Sequence, residues 1–439
     1  EQPRSAEPEI ESALLARLQE GLPELPADSE STLQDAVQIL ESSMSPSRPL
    51  YLAYIGSSGL EAGVLAAALT SVYDVNLASA AGAAEALDAQ TVAWLGQFFK
   101  YPVADGHFTS GGQISNLTAV LVARELAMPG TRQSGVSGKR VAVYCSEKAH
   151  HSNIGTIEAA GIGSSSIRKI SIDDLRRMNP ELLEQAIQSD IKSGVLPLAV
   201  IATAGTTLSG AVDPLDPIAD ICIAHELWLH VDGAYGLPAA ASSLAGHLFE
   251  GLHKADSVTV DVHKWLGLQK SCSLFMTKRA GALYKAFGHD EKYMLHDQEV
   301  VNPVDKTFEY SRPVRALKPW LAMKLYGATQ YRNWIDHTIS NARLFTEQVR
   351  NHSDFELLHE PQLTTVCFRA LHVDEQDRNS FNSKLAAVIQ KDGKVFLASA
   401  SMDGKTCLRV TFVNYRTTAE TVANVLDIIH STAVELARN

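Results

Sequence analysis

The segment SVTVDVHKWLGLQKSCSLF sets His263 and Lys264 at the end of an apolar, β-branched run, and the earlier segment LWLHVDGAYG sets Asp232 at the end of another. Runs of this kind read as strands of an open α/β sheet, whose carboxyl edge is where ligands bind. A lysine there is placed like one that forms a Schiff base with a carbonyl, and an acid 32 residues before it can keep a ring nitrogen protonated. Pyridoxal 5'-phosphate (PLP) most requires these two groups. Singly, each has a plainer reading: a lysine beside apolar bulk snorkels to solvent, and an acid at a strand end caps the next helix. As a pair they point to chemistry, because opposite charges about 4 Å apart attract strongly at intermediate dielectric and favour a cationic, electron-accepting ring.

Three further segments could complete such a site. FTSGGQISNLTAVLVAREL puts two glycines and Ser115 just before a run with helical spacing, so that N–H groups at a helix start could cradle a phosphate. In ATAGTTLSGAVDP the hydroxyls of Thr206 and Thr207 could reach a cofactor, or could cap a turn. SEKAHHSN places His150 and His151 after a strand; an imidazole there is flat enough to stack on a pyridine ring and can act as acid or base near neutral pH.

The elements that must position these groups can be read from periodicity. Two amphipathic helices open the chain, around Glu9 to Leu18 and Ser31 to Ser43, and SMSPSRP breaks the pattern. A helix around Glu85 to Lys100 has one apolar face. Short apolar runs then alternate with helical or loop segments: VAVYC at 141, IRKIS at 167, LAVIAT at 198, LWLHV at 227, SVTVDV at 257 and CSLFM at 272. Such alternation predicts a mostly parallel sheet covered by helices. After a charged stretch from His289 to Arg315 the helical pattern resumes through Leu317 to Tyr326, and strands at TTVCFR and CLRVTF with a final helix from Ala419 make a smaller α+β unit. The expected division is an N-terminal helical arm at 1–60, a large cofactor-binding domain at 61–325 and a small C-terminal domain at 326–439.

Bulk properties narrow the field. The 439 residues can bury large cores, and a formal charge of -12 gives no basic footprint for nucleic acid. Small molecules are the expected partners, with no nucleic acid and no membrane. Five scattered cysteines without CxxC spacing read as reduced, mostly buried thiols of a cytoplasmic protein, and no metal site is expected. The N-terminus has neither the basic nor the apolar region of a signal peptide, no uncharged run approaches the ~18 residues of a membrane span, and residue 1 is not Met, which suggests trimming.

The order SGGQISN, AHHSN, TAGTT, HVDGAYG, DVHKW, SRPVRALKPW resembles the group II PLP-dependent amino-acid decarboxylases from about Tyr51 to Ile429. The resemblance implies the PLP-dependent transferase fold type I, with a mostly parallel, seven-stranded-type sheet in the large domain and a small C-terminal α+β domain, assembled as a homodimer. Carried over by motif, Lys264 would form the aldimine, Asp232 would pair with the pyridine nitrogen, Ala234 would pack beneath the ring and His150 on its other face. Ile114, Ser115 and His263 would help to hold the cofactor and its phosphate, with Thr207 nearby, and Arg409 in CLRVTF resembles an arginine that binds a substrate carboxylate.

The implied reaction is decarboxylation of an L-amino acid to the amine and CO2. It ends with protonation of Cα, usually by a donor on a mobile loop. Here the sequence departs from the family: many relatives carry a tyrosine near the positions of Val301 to Val304, and this chain has none. Tyr293, His296 and Tyr310 are the alternative donors on the loop from Glu291 to Arg312. An unprotonated carbanion can react with O2 to give an aldehyde, so oxidative deamination stands as an alternative, beside another PLP lyase or aldolase reaction and a catalytically dead assembly subunit. Substrate selectivity is expected near Tyr54 to Ser58 and Asp74 to Ala81, whose small or polar residues favour a polar or acidic amino acid.

Overall fold

Valine- and isoleucine-rich runs, too short for helices and bounded by glycine or polar residues, fall into one sheet because only pairing satisfies their buried backbone groups. A computed structural model describes residues 10–44, 47–78, 81–136, 138–289 and 302–438 of the chain. Its seven-stranded sheet has β1 (Asp105–Thr109), β2 (Val141–Ser146), β3 (Ile167–Ile170), β4 (Leu196–Thr203), β5 (Trp228–Asp232), β6 (Ser257–Val260) and β7 (Ser273–Thr277), in the order β1-β7-β6-β5-β4-β2-β3. The pairs from β3 across to β6 are parallel, and β7 runs antiparallel to both β6 and β1. Two reversals leave β1 parallel to β6. The carboxyl ends of β1, β2, β4, β5 and β6 therefore share one edge.

The chain divides into two compact units, one comprising Gly59–Arg343 and His359–Val366, the other Glu1–Ser58, Leu344–Leu358 and Cys367–Asn439. The N-terminal arm thus groups with the C-terminal segments, and residues 326–343, expected in the C-terminal domain, group with the sheet. The cause is visible in backbone pairing: Tyr51 bridges Phe396 in parallel fashion, and Leu52 N–H bonds Phe396 O at 2.7 Å. A second sheet has β8 (Phe355–Leu357), β9 (Thr365–Ala370), β10 (Ala398–Met402) and β11 (Lys405–Thr411) in the order β10-β11-β9-β8.

Helices Ser12–Leu18, Ser29–Glu41 and Ala83–Phe99 match the expected ones within a few residues, and Leu317–Asn351 is interrupted at Gly327, whose φ of 76° ends the first stretch after Tyr326. All five cysteines are free and buried. Among the described residues no helix is long and apolar enough to cross a membrane.

One buried acid fixes the end of β4. Asp213 accepts the N–H of Met178 and of Thr203, both at 2.7 Å, and burial pushes its pKa up to about 6 against those two donors. Because the folded value is the higher one, the folded chain takes up a proton between about pH 4, the unfolded value, and pH 6. The contribution of this acid to stability is then fully present below that window and declines as pH rises through it. Asp213→Asn should remove that part of the pH slope in urea unfolding. It should also cost about 1–3 kcal/mol, because the amide cannot accept both N–H groups.

Candidate active site

Strands that share an edge deliver their terminal residues to one place. A cavity of about 160 Å³ lies at the carboxyl edge of the large sheet, and Gly112, His150, Thr203, Asp232, Asp261 and Lys264 are among the residues that line it. They come from the ends of or turns after β1, β2, β4, β5 and β6, and the register pairs Thr203 with Asp232 and Asp232 with Thr259.

Asp232 is 5% exposed, and burial pushes its pKa up, opposed by Lys264, the Ala234 N–H and the Asn116 amide. Asn116 Nδ2 donates to Asp232 Oδ2 at 2.9 Å and Ala234 N–H to Oδ1 at 3.2 Å. Behind Asn116 the donors form a chain whose direction is fixed. Its Oδ1 can only accept, so His230 Nε2, 3.0 Å away, carries the proton; His230 Nδ1 then accepts from Ser257 Oγ at 2.8 Å, and Ser257 Oγ accepts from Trp228 Nε1 at 2.9 Å. Burial pushes the His230 pKa down to about 3, which keeps the ring neutral and the chain intact.

Lys264 Nζ lies 2.8 Å from Asp261 Oδ2, and the Ser273 hydroxyl holds the other oxygen of that buried acid. Gly112 is required at this point: a Cβ there would lie 2.9 Å from Asp261 Oδ1 and 3.2 Å from Ala234 Cβ. His150 is exposed at the mouth, its Nδ1 2.7 Å from Ser152 Oγ, and its pKa is lowered by partial loss of water and then by His151.

Of the residues singled out in the sequence, His150, Thr207, Asp232, Ala234 and Lys264 line the cavity. Ile114, Ser115 and His263 do not. The Ile114 and Ser115 N–H groups both bond Gly111 O inside the helix Gly112–Ala127, and the Ser115 hydroxyl turns to Thr109 Oγ1 at 2.7 Å. The His263 ring faces the backbone of Cys272, with Nδ1 2.8 Å from its carbonyl oxygen, and burial lowers its pKa. Thr206 is a turn residue, 2.8 Å from Ser209 Oγ. Arg409 lies on β11 in the other compact unit, as do Tyr54 to Ser58. Tyr310 lines a different hollow with Arg132 and Phe308, whereas Tyr293 and His296 lie outside the described residues, as do residues 79–80 of the Asp74 to Ala81 stretch. Asn116, Asp261 and Thr203 were not singled out. All three stand inside or beside quoted motifs, and Asn116 is a polar residue on the inward side of a helix, the one signal that could have marked it.

The cavity fits a polar, partly cationic guest. Thr203 lines it, its buried hydroxyl has no hydrogen-bond partner among the described residues, and Asp232 meets its edge as a buried acid. The helix Gly112–Ala127 opens beside it, and the positive end of its dipole favours an anion. A ring with a basic nitrogen for Asp232, a polar substituent for Thr203 and a phosphate for the helix start meets all three conditions, and with a carbonyl for Lys264 this is the chemistry of PLP. Fold and site thus accord with a PLP-dependent enzyme of fold type I.

Comparison with known proteins narrows this class. Residues 12–371 match the pyridoxal-dependent decarboxylase conserved domain. The chain is similar to an aromatic-L-amino-acid decarboxylase of Bacillus atrophaeus, 32% identical over 441 residues that cover 98% of this chain and 90% of the relative. Among solved structures, Oryza sativa TDC with PLP and tryptamine superposes with a TM-score of 0.93 at 24% identity, over 99% of this chain and 94% of the other, a likeness of fold. Rhodiola rosea 4-hydroxyphenylacetaldehyde synthase superposes with a TM-score of 0.89 at 25% identity, over 99% and 94%. The chain belongs to the pyridoxal-dependent decarboxylase family, and it is a PLP-dependent amino-acid decarboxylase.

Asn116→Ala strands both Asp232 and His230, two buried groups worth about 1–3 kcal/mol each when left unpaired, so urea unfolding should detect a loss of about 2–6 kcal/mol. Ser152→Ala at the cavity mouth should stay within about 0.5 kcal/mol.

Proposed function

We propose that the protein removes the α-carboxylate of an L-amino acid as CO2, with Lys264 and Asp232 as the groups that engage the cofactor. The Cα–carboxylate bond breaks, its electron pair stays on the organic fragment, and a proton added at Cα yields the amine. PLP bound at this site supplies the sink for that electron pair. The observation that carries the reading is the convergence of Lys264 and a buried, donor-held Asp232 on one cavity.

In this reading Asp232 holds a proton on the ring nitrogen by ion pairing, and its low exposure strengthens that pair by excluding water. Asp261 orients the Lys264 amine toward the cavity. Ala234 packs on one face of the ring and His150 on the other, where its imidazole can also move a proton. Thr203 and Thr207 offer hydroxyls to the ring substituents, and Arg409 binds the substrate carboxylate. A homodimer is supported by the apolar side chains that the N-terminal helices leave in the open, among them Leu33, 68% exposed, and Leu40, 72% exposed. The five free, buried thiols accord with the reducing cytoplasm.

A second reading, oxidative deamination to the aldehyde, is favoured by one observation: no tyrosine stands at 301–304. Product analysis separates the two.

Lys264→Ala should abolish the visible absorbance of the bound cofactor, and borohydride reduction followed by peptide mapping should find the cofactor on Lys264 in the wild type; a label on another lysine overturns the assignment. Asp232→Ala should retain cofactor but lose about two orders of magnitude or more in kcat, the scale of one lost electrostatic contact in a dry site. With L-amino acids screened under air, amine should accompany CO2 one for one. Aldehyde and peroxide in its place would establish the second reading.

A further inference from the structure

Outside the cavity, a cluster of imidazoles surrounds one carboxylate in the compact unit that holds β8. His352, Asp354 and His430 each bring a ligand atom to within 4.8 Å of the other two. His352 and Asp354 sit between the helix Leu317–Asn351 and β8, and His430 is on the last helix, Val425–Arg438. His372 follows β9 and faces the same acid, its Nε2 3.9 Å from Asp354 Oδ2, while His430 Nε2 is 3.0 Å from that oxygen. The Leu371 N–H bonds Asp354 O at 2.8 Å and brings the two turns together.

His372 is the informative member. Its side chain is 7% exposed, it packs against Phe355 and Phe381, and neither ring nitrogen has a hydrogen-bond partner among the described residues. A neutral imidazole carries one donor and one acceptor, and a buried one ordinarily satisfies both. A simple histidine–aspartate pair needs one imidazole, and His430 already supplies it. Three imidazoles around one carboxylate exceed what an ion pair requires.

We propose that His352, Asp354, His372 and His430 form a binding site for a divalent transition-metal ion of the zinc class. Bonds of about 2.0–2.2 Å in tetrahedral array set neighbouring donor atoms about 3.3–3.5 Å apart. The distances of 3.0 and 3.9 Å from Asp354 Oδ2 straddle that value, and His352 offers a ligand atom within 4.8 Å of those of Asp354 and His430, so the shell closes by rotation of the imidazoles toward the acid. Imidazole with one carboxylate suits zinc and its neighbours rather than calcium or magnesium, which take oxygen ligands. Asp354 and His430 are partly exposed, which gives an ion a path in. Coordination through His352 Nδ1 would replace the 3.2 Å contact it accepts from the Asp354 N–H. An ion held there ties the start of β8, the turn after β9 and the last helix to one point, and binding only to the folded chain raises its stability.

The test uses tag-free holoenzyme, stripped with a chelator, incubated with zinc ions and desalted, with metal measured by atomic emission and unfolding followed by heat. The wild type should retain about one zinc per chain and unfold at a higher temperature with the ion than without it. His372→Gln and His430→Gln should each bind zinc at least ~10-fold more weakly, with the visible cofactor absorbance unchanged. Should His430→Gln fail to fold, Asp354→Asn serves for the same comparison. Zinc retained equally by wild type and variants, none retained by the wild type, or a thermal midpoint indifferent to zinc would each overturn the proposal.

Discussion

A carboxylate buried at the end of a parallel strand governs the rest of this site. Removing Asp232 from water raises the cost of its charge, and the fold offsets that cost with the nearby Lys264 charge and with N–H donors in direct contact: the Asn116 amide on one oxygen and the Ala234 N–H on the other. A permanent arginine in that position would neutralise the acid and leave nothing for a ring nitrogen. Neutral donors keep the carboxylate in place and leave its charge available to a guest.

The donors must themselves be held, and this explains why the polar residues behind Asp232 are buried. His230, Ser257 and Trp228 are aligned so that each hydrogen bond points toward the acid, and a neutral His230 is the only state in which every member is satisfied. Reversing the Asn116 amide would set donor against donor at His230 and acceptor against acceptor at Asp232. The alignment therefore fixes the amide, and through it the carboxylate, before anything enters the cavity.

The sequence made most of this architecture legible where local signals agree with the fold. Strands β2 to β7 are dense in valine, isoleucine and leucine, and each was readable; Lys264 and Asp232 stood out because a charged residue ends an apolar run. Strand β1, Asp-Gly-His-Phe-Thr, and β10, Ala-Ser-Ala-Ser-Met, were not, since neither alternates large apolar residues and both are held by their neighbours. Asn116 escaped for a different reason. Its meaning depends on His230 and Asp232, more than a hundred positions away. The histidines at 352, 372 and 430 share no spacing that marks a set, and only the β8–β9 pairing and the final helix bring them together.

The antiparallel strand β7 makes the two halves of the site unlike in their tolerance of change. The segment 261–272, with Lys264 on it, is pinned at both ends by adjacent strands, so an inserted residue there moves the amine itself. The contact between Asn116 and Asp232 instead closes a span of 116 positions, and loop entropy grows so slowly with length that doubling such a span costs only about 0.6 kcal/mol. Chain added at a surface loop within that span leaves the acid where it is. Length can vary on the acid's side of the site, while on the amine's side it is fixed to the residue.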